Sequence, residues 1–139
     1  MVDTPDYALY KEVGGYLFDK YGDGSNGGQF FKTFPEFHDY SFNNPMVILG
    51  NQSMGQDTPL KGVLVSKPAI TIHVFGDIEA LEDVQGVKQS IYSYLMQLSA
   101  VGEYRVELDP HNLINTVAQE QEDNLRLWHA TLDVTFKVN

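Results

Sequence analysis

The C-terminal stretch LRLWHATLDVTFKV, residues 125–138, constrains the fold more than any other part of the chain. Trp128, Ala130, Leu132, Val134, Phe136 and Val138 fall on one side, and His129, Thr131, Asp133, Thr135 and Lys137 on the other. Successive side chains of a strand point to opposite faces, so the alternation specifies a long strand with one buried face. A slip of one residue would expose the whole apolar set, which ties down the register of any neighbour. Residues 112–120 are expected to pair with it antiparallel through the connection QEDN. The second face is wet or reserved for a partner.

Upstream, EYRVEL (103–108) alternates with Tyr104, Val106 and Leu108 on one face. GVLVS (62–66) and AITIHVF (69–75) read as strands flanking Lys67-Pro68, with Ile70, Ile72 and Val74 opposite Thr71, His73 and Phe75. Pro68 cannot donate to a ladder and belongs at a strand start, an edge or a bulge. The aromatic run FFKTFPEFHDYSF (30–42) suits an extended segment. Two stretches carry helical spacing. In residues 4–20, Leu9, Val13 and Leu17 recur, Thr4 is placed to cap and Pro5 suits the first turn. In residues 84–98, Val84, Val87, Ile91, Leu95 and Leu98 recur, with Asp83 placed to cap. The reading is α+β: one mixed, mainly antiparallel sheet, two helices packed on one face, and an extended hairpin arm. One domain is expected over 1–139, with a flexible glycine-rich loop at about 21–29 and the arm at about 46–62.

The arm is read from NPMVILGNQSMGQD, residues 44–57. Met46, Val47, Ile48 and Leu49 form an apolar strand core, after which Gly50, Gln52, Met54, Gln56 and, further on, Leu60 lie in a mostly polar stretch. Such a stretch is either a surface excursion or an arm that another subunit completes.

Nineteen acids against nine Lys and Arg give a net charge of −10. That balance lacks the basic footprint needed to grip nucleic acid. No apolar run reaches the ~18 residues of a membrane span, the N-terminal residues lack a signal-peptide pattern, and an intracellular soluble protein is expected. With no cysteine, thiolate metal sites and disulfides are excluded. The glycine loop GDGSNGG lacks the ending of a P-loop and fails as a calcium loop. His38, His73, His111 and His129 show no ligand spacing, although His73 and His129 could meet across strands beside Asp133. No nucleophile elbow is present. No enzyme, cofactor or metal site is expected. Two acidic clusters, Glu79, Glu82 and Asp83 in EALED and Glu120, Glu122 and Asp123 in EQED, read as connections with solvated charge.

The order NPMVILGNQSMGQD, a Lys-containing strand, ITIHVFGD, VKQSIYSYLMQL and LWHATLDVTFKV resembles the tail terminator proteins of long-tailed, non-contractile phages. More closely, it resembles the small tail-completion proteins of phages and prophages of Gram-positive bacteria. The resemblance spans residues 43–138 and rests on the strand end Leu49-Gly50, the strand end His73–Gly76 and the helix opening at VKQSI. It implies a hexameric ring on the head-proximal end of the tail tube that stops tube growth and forms the head-docking surface, without enzymatic activity. The implied partners are further copies of the chain, the major tail (tube) protein and a head-connector protein, with no membrane. The implied location is the tail–head junction of the virion, after synthesis in the bacterial cytoplasm. DNA would pass through without specific binding, and the two acidic clusters would line that passage. The stretch 46–62 would be the assembly arm. Two alternatives stay open: another head–tail joining protein, or a small-molecule-binding α+β module with a pocket of Phe30, Phe31, Phe34, Phe37 and Tyr40.

Overall fold

The computed structural model describes residues 3–56, 66–122 and 124–138, with backbone alone for 51–56 and Ser66. The chain runs α1 (Pro5–Tyr21), β1 (Phe30–Phe31), β2 (Met46–Gln56), β3 (Ser66–Asp77), α2 (Leu81–Gln97), β4 (Ala100–Val101), β5 (Tyr104–Glu122) and β6 (Leu125–Val138). Among the described residues these strands form one sheet in the order β1-β2-β3-β6-β5-β4. Only β1 and β2 run parallel; the other neighbours are antiparallel. The α+β class with a single mixed sheet follows directly.

Alternation in β6 does what its sequence demands. Ala130, Leu132, Val134 and Phe136 are buried in the main core beside Ile70, Ile72 and Val74 of β3. Both helices lie on this face, α1 through Leu9, Val13 and Leu17 and α2 through Val84, Ile91 and Leu95. Each such side chain contributes about 1.5–3 kcal/mol when fully removed from water.

The aromatic run does not form the extended segment expected of it. Only Phe30 and Phe31 pair as a strand, and Phe37–Asp39 turn as a short 3-10 helix. The run instead folds over the opposite sheet face at one end. There Phe37, Met46, Ile48, Phe75 and Leu127 make a second, smaller core, edged by Phe31, Tyr40 and Phe42. Aromatic contacts outweigh local strand preference here: Phe37 meets Phe75 edge-on at 4.8 Å, and Tyr40 meets Phe42 edge-on at 4.8 Å. Phe42 is held at φ 55, a left-handed backbone unusual for an aromatic.

This second core explains MVIL. Val47 and Leu49 enter the helix-side core, whereas Met46 and Ile48 enter the aromatic-side core. A strand covered on both faces reads as a continuous apolar run. These four residues are fully buried, at 0% exposure, so they form the root of the hairpin rather than a projecting part of it.

Three local details differ from expectation. Thr4 occupies the cap position of α1, but its side chain makes no capping bond. Helix α2 begins at Leu81, not Val84, and Ala80 rather than Asp83 is its cap residue. The chain turns earlier because Asp77 already bends it: Glu79 N–H donates to Asp77 Oδ2 at 3.0 Å and Ala80 N–H to Asp77 O at 2.9 Å. Third, the two expected strands 103–108 and 112–120 are one bent strand, β5, with a register shift between Leu108 and Leu113. Pro110 falls in that shift, where its missing N–H breaks no ladder bond. Beside it Asp109 turns inward, 2% exposed. It accepts from Asn112 Nδ2 at 2.8 Å and His111 N–H at 3.0 Å, and lies 3.7 Å from Lys67 Nζ. Those hydrogen bonds hold its carboxyl below the ordinary value of 3.8.

Gly15 of α1 and Gly86 of α2 sit in helix interiors where an added Cβ would meet nothing within 4 Å. Alanine there removes a backbone-entropy penalty without a clash. Each substitution, Gly15→Ala and Gly86→Ala, is expected to raise the unfolding free energy by about 0.5–1 kcal/mol. A urea titration checks this, and an unchanged or lower midpoint contradicts it.

Candidate functional site

At one end of the sheet the hairpin of β2 and β3 parts from β6, which runs on to Val138 paired with β5. Strand β6 accompanies β3 only from Ala69 onward, whereas β2 continues with Met54↔Pro68, Gly55↔Lys67 and Gln56↔Ser66. Pro68 therefore sits where β3 has β2 on one side and no β6 partner on the other, the edge setting its chemistry requires. Of the expected arm, this two-stranded end carries the backbone of Met54 and Gln56, whereas Gln52 pairs with Ile70, which β6 still accompanies, and Gly50 falls in the register shift between Leu49 and Gln52. Leu60, GVLV and the rest of 57–65 lie outside the described residues.

The register places the two acidic clusters at the opposite end of the sheet, one on each face. Gly76 and Asp77 of β3 pair with Trp128 and Leu127, and Glu120 and Glu122 of β5 pair with Leu127 and Leu125. The turn into α2 is tied to this end by Trp128 Nε1, which donates to Ile78 O at 2.8 Å. Glu82 and Asp83 occupy the first turn of α2 and Glu79 precedes it. Acids in a helix's first turn are stabilised by its dipole, about 0.3–1 kcal/mol each. Glu120 and Glu122 prove to be strand residues rather than part of a connection; Asp123 lies outside the described residues.

On the polar face of this same end the structure joins His73 and His129, 2.8 Å apart between Nδ1 and Nε2. His129 Nδ1 lies 2.7 Å from Glu120 Oε1, and Thr131 Oγ1 lies 3.2 Å from His129 Nε2. One tautomer satisfies the chain: His129 Nδ1–H donates to Glu120, and His129 Nε2 accepts from His73 Nδ1–H. The sequence pointed to Asp133 as the third member; Glu120 takes that place. Asp133 is opposite Thr71 and Ile114 in the ladder, whereas Glu120 is diagonal to His129 across β5 and β6. That diagonal depends on the β5–β6 register, which the bulge at Leu108/Leu113 shifts. Among the described residues no group of three or more His, Cys, Asp or Glu is arranged to hold a metal ion.

Burial, followed by the charge of His129, holds His73 below the ordinary histidine value of 6.5, with Glu120 acting in the other direction. The folded chain therefore takes up this proton at lower pH than the unfolded chain. Above 6.5 both are neutral at His73; below it the unfolded chain protonates first and gains stability relative to the fold. The urea midpoint is expected to drop as pH falls from about 7.5 to about 5.5, and His73→Gln should flatten that slope. An equal slope in the variant would show that His73 does not contribute.

The pocket residues named from sequence do not gather in one place. Phe30 joins the helix-side core, while Phe31, Phe37 and Tyr40 belong to the opposite face. Phe34, 55% exposed, instead lines a cleft of about 360 Å³ with Phe37, Phe75, Glu120 and His129.

No family model and no curated protein sequence matches this chain. Among solved structures, it is similar to a chain of the "Virion of native gene transfer agent (GTA) particle". The TM-score is 0.55 over 82% of each chain, at 12% identity. At that identity the likeness is one of fold. It covers the larger part of both chains. No described helix is long and apolar enough to cross a membrane.

Proposed function

We propose that this protein is a structural component of a phage-type particle that caps the head-proximal end of the tail tube as a hexameric ring. The observation that carries the reading is the fold shared with a chain of a gene transfer agent virion over 82% of both chains. The sequence resemblance to tail terminators, made from residues 43–138, points the same way and narrows the role. In this reading the protein is not an enzyme. It stops tube growth and presents the surface to which the head connector docks.

Three features of the fold support this reading. The β2–β3 ribbon is at one end of the sheet and reaches a neighbouring subunit or the tube. The acidic lead-in and first turn of α2, with Glu79, Glu82 and Asp83, faces the passage of DNA. Carboxylates repel phosphate over about 8 Å at physiological salt, so the duplex slides without sticking. Among the described residues, β1 covers only Val47 and Ile48 of β2, and β4 covers only Tyr104 and Arg105 of β5. Unpaired strand edges at the two ends of the strand order are ready for a heterologous contact that closes by rotation.

The test is light scattering after size exclusion, on the protein alone and then mixed with purified tail tubes. A hexamer, or a monomer recruited to tube ends, is the expected result. Binding to purified head connectors with indifference to tubes would instead favour another head–tail joining role. A monomer indifferent to both overturns the reading.

A further inference from the structure

The cleft beside the histidine pair is built differently from the rest of the acidic surface. Its floor and wall are aromatic: Phe75 stacks on His129 at 4.1 Å, Phe37 meets Phe75 at 4.8 Å, and Phe34 meets Phe75 edge-on at 6.2 Å. Its rim carries three carboxylates, Glu36, Glu120 and Glu122. Phe34 is anchored by these ring contacts yet remains 55% exposed at the mouth. Glu120 uses Oε1 for His129, and Oε2 has no hydrogen-bond partner among the described residues. Among the described residues, no Lys or Arg lines the cleft.

We propose that this cleft takes the guanidinium of an arginine side chain presented by a protein partner. Three carboxylates around an aromatic cup favour a cation over any neutral or anionic group. The flat rings favour a planar cation, which stacks while its fork of N–H donors reaches Glu120 and Glu122. An ammonium would find the charge but not the stacking surface or the paired acceptors. The volume of about 360 Å³ is at the lower end of the range for ligand sites and suits one long side chain. His129 holds Glu120 in place from beneath, so one acceptor is already oriented before the ligand arrives.

The test uses the full chain, free of any particle component, so its outcome is independent of the proposed tail role. N-acetyl-argininamide is titrated into isotope-labelled protein and amide shifts are followed, with N-acetyl-lysinamide and the neutral N-acetyl-citrullinamide as comparisons at matched salt. Saturable shifts confined to residues around 34–37, 75, 120–122 and 129, in the millimolar range and absent with the citrulline compound, are expected. The double variant Glu120→Gln/Glu122→Gln should weaken the arginine compound by about tenfold. Phe34→Ala should weaken it severalfold, by removing the stacking face alone. Unsaturable shifts spread over the acidic surface, equal binding by the lysine or citrulline compound, or unchanged affinity in these variants would each overturn the proposal.

Discussion

Replacing Gly76 with alanine is expected to destabilise the protein by about 1–3 kcal/mol, because the new methyl has nowhere to go. A Cβ at this position would overlap Val84 Cγ2. Val84 is fully buried in the main core, and a β-branched side chain on a helix has essentially one comfortable rotamer, so it cannot swing aside. Gly76 also pairs with Trp128, whose indole holds the lead-in to α2. The close approach of β3 to the first turns of α2 therefore depends on a residue without a side chain. Val84→Ala removes the obstructing methyl. The double variant Gly76→Ala/Val84→Ala should be more stable than the sum of the two single changes by about 1 kcal/mol or more. Urea unfolding of all four proteins measures that coupling, and strict additivity would refute the steric account.

The second large effect concerns assembly. Residues 56–66 can be replaced by Asn-Gly so that Gly55 and Lys67, which already pair, are joined by a tight hairpin turn. Among the described side chains, every buried residue of β2 and β3 is retained, as is Lys67 beside the buried Asp109. Because loop-closure entropy changes slowly with length, stability should stay within about 1 kcal/mol of the parent. On the proposed tail role, the shortened protein should lose capture by tube ends altogether while its monomer remains folded. A variant that still caps tubes would show that the ribbon tip is not the assembly arm. A simple deletion of 51–59 would be a poorer probe, because 51–56 are strand residues whose loss shifts the pairing with 66–70.

How much of the fold is legible in the sequence depends on the kind of signal. The period-2 pattern of β6 and the helical spacing of Leu9, Val13 and Leu17, and of Val84, Ile91 and Leu95, are properties of short windows. They specify which face is buried whatever the neighbours are, and the main core contains those residues. The same argument yields one sheet with both helices on one face. The order of the strands does not follow from any window, nor does the parting of β2 and β3 from β6 at Ala69.

The aromatic run and MVIL show where local reasoning stops. Phe37 and Phe75 are far apart in sequence, and only their contact across the sheet turns a candidate strand into a cover for the second face. Once that cover exists, Met46 and Ile48 are buried on the side that periodicity alone would have left to water. The histidine pair makes the same point for chemistry. That His73 and His129 share the polar face was readable from alternation. That Glu120 rather than Asp133 completes the group was decided by a ladder register that a bulge displaces by several residues. Local periodicity assigns a side chain to a face because it depends on backbone geometry alone. Neighbours across the sheet are assigned only when the whole set of strands has found its register, because that choice is made by burial summed over all of them.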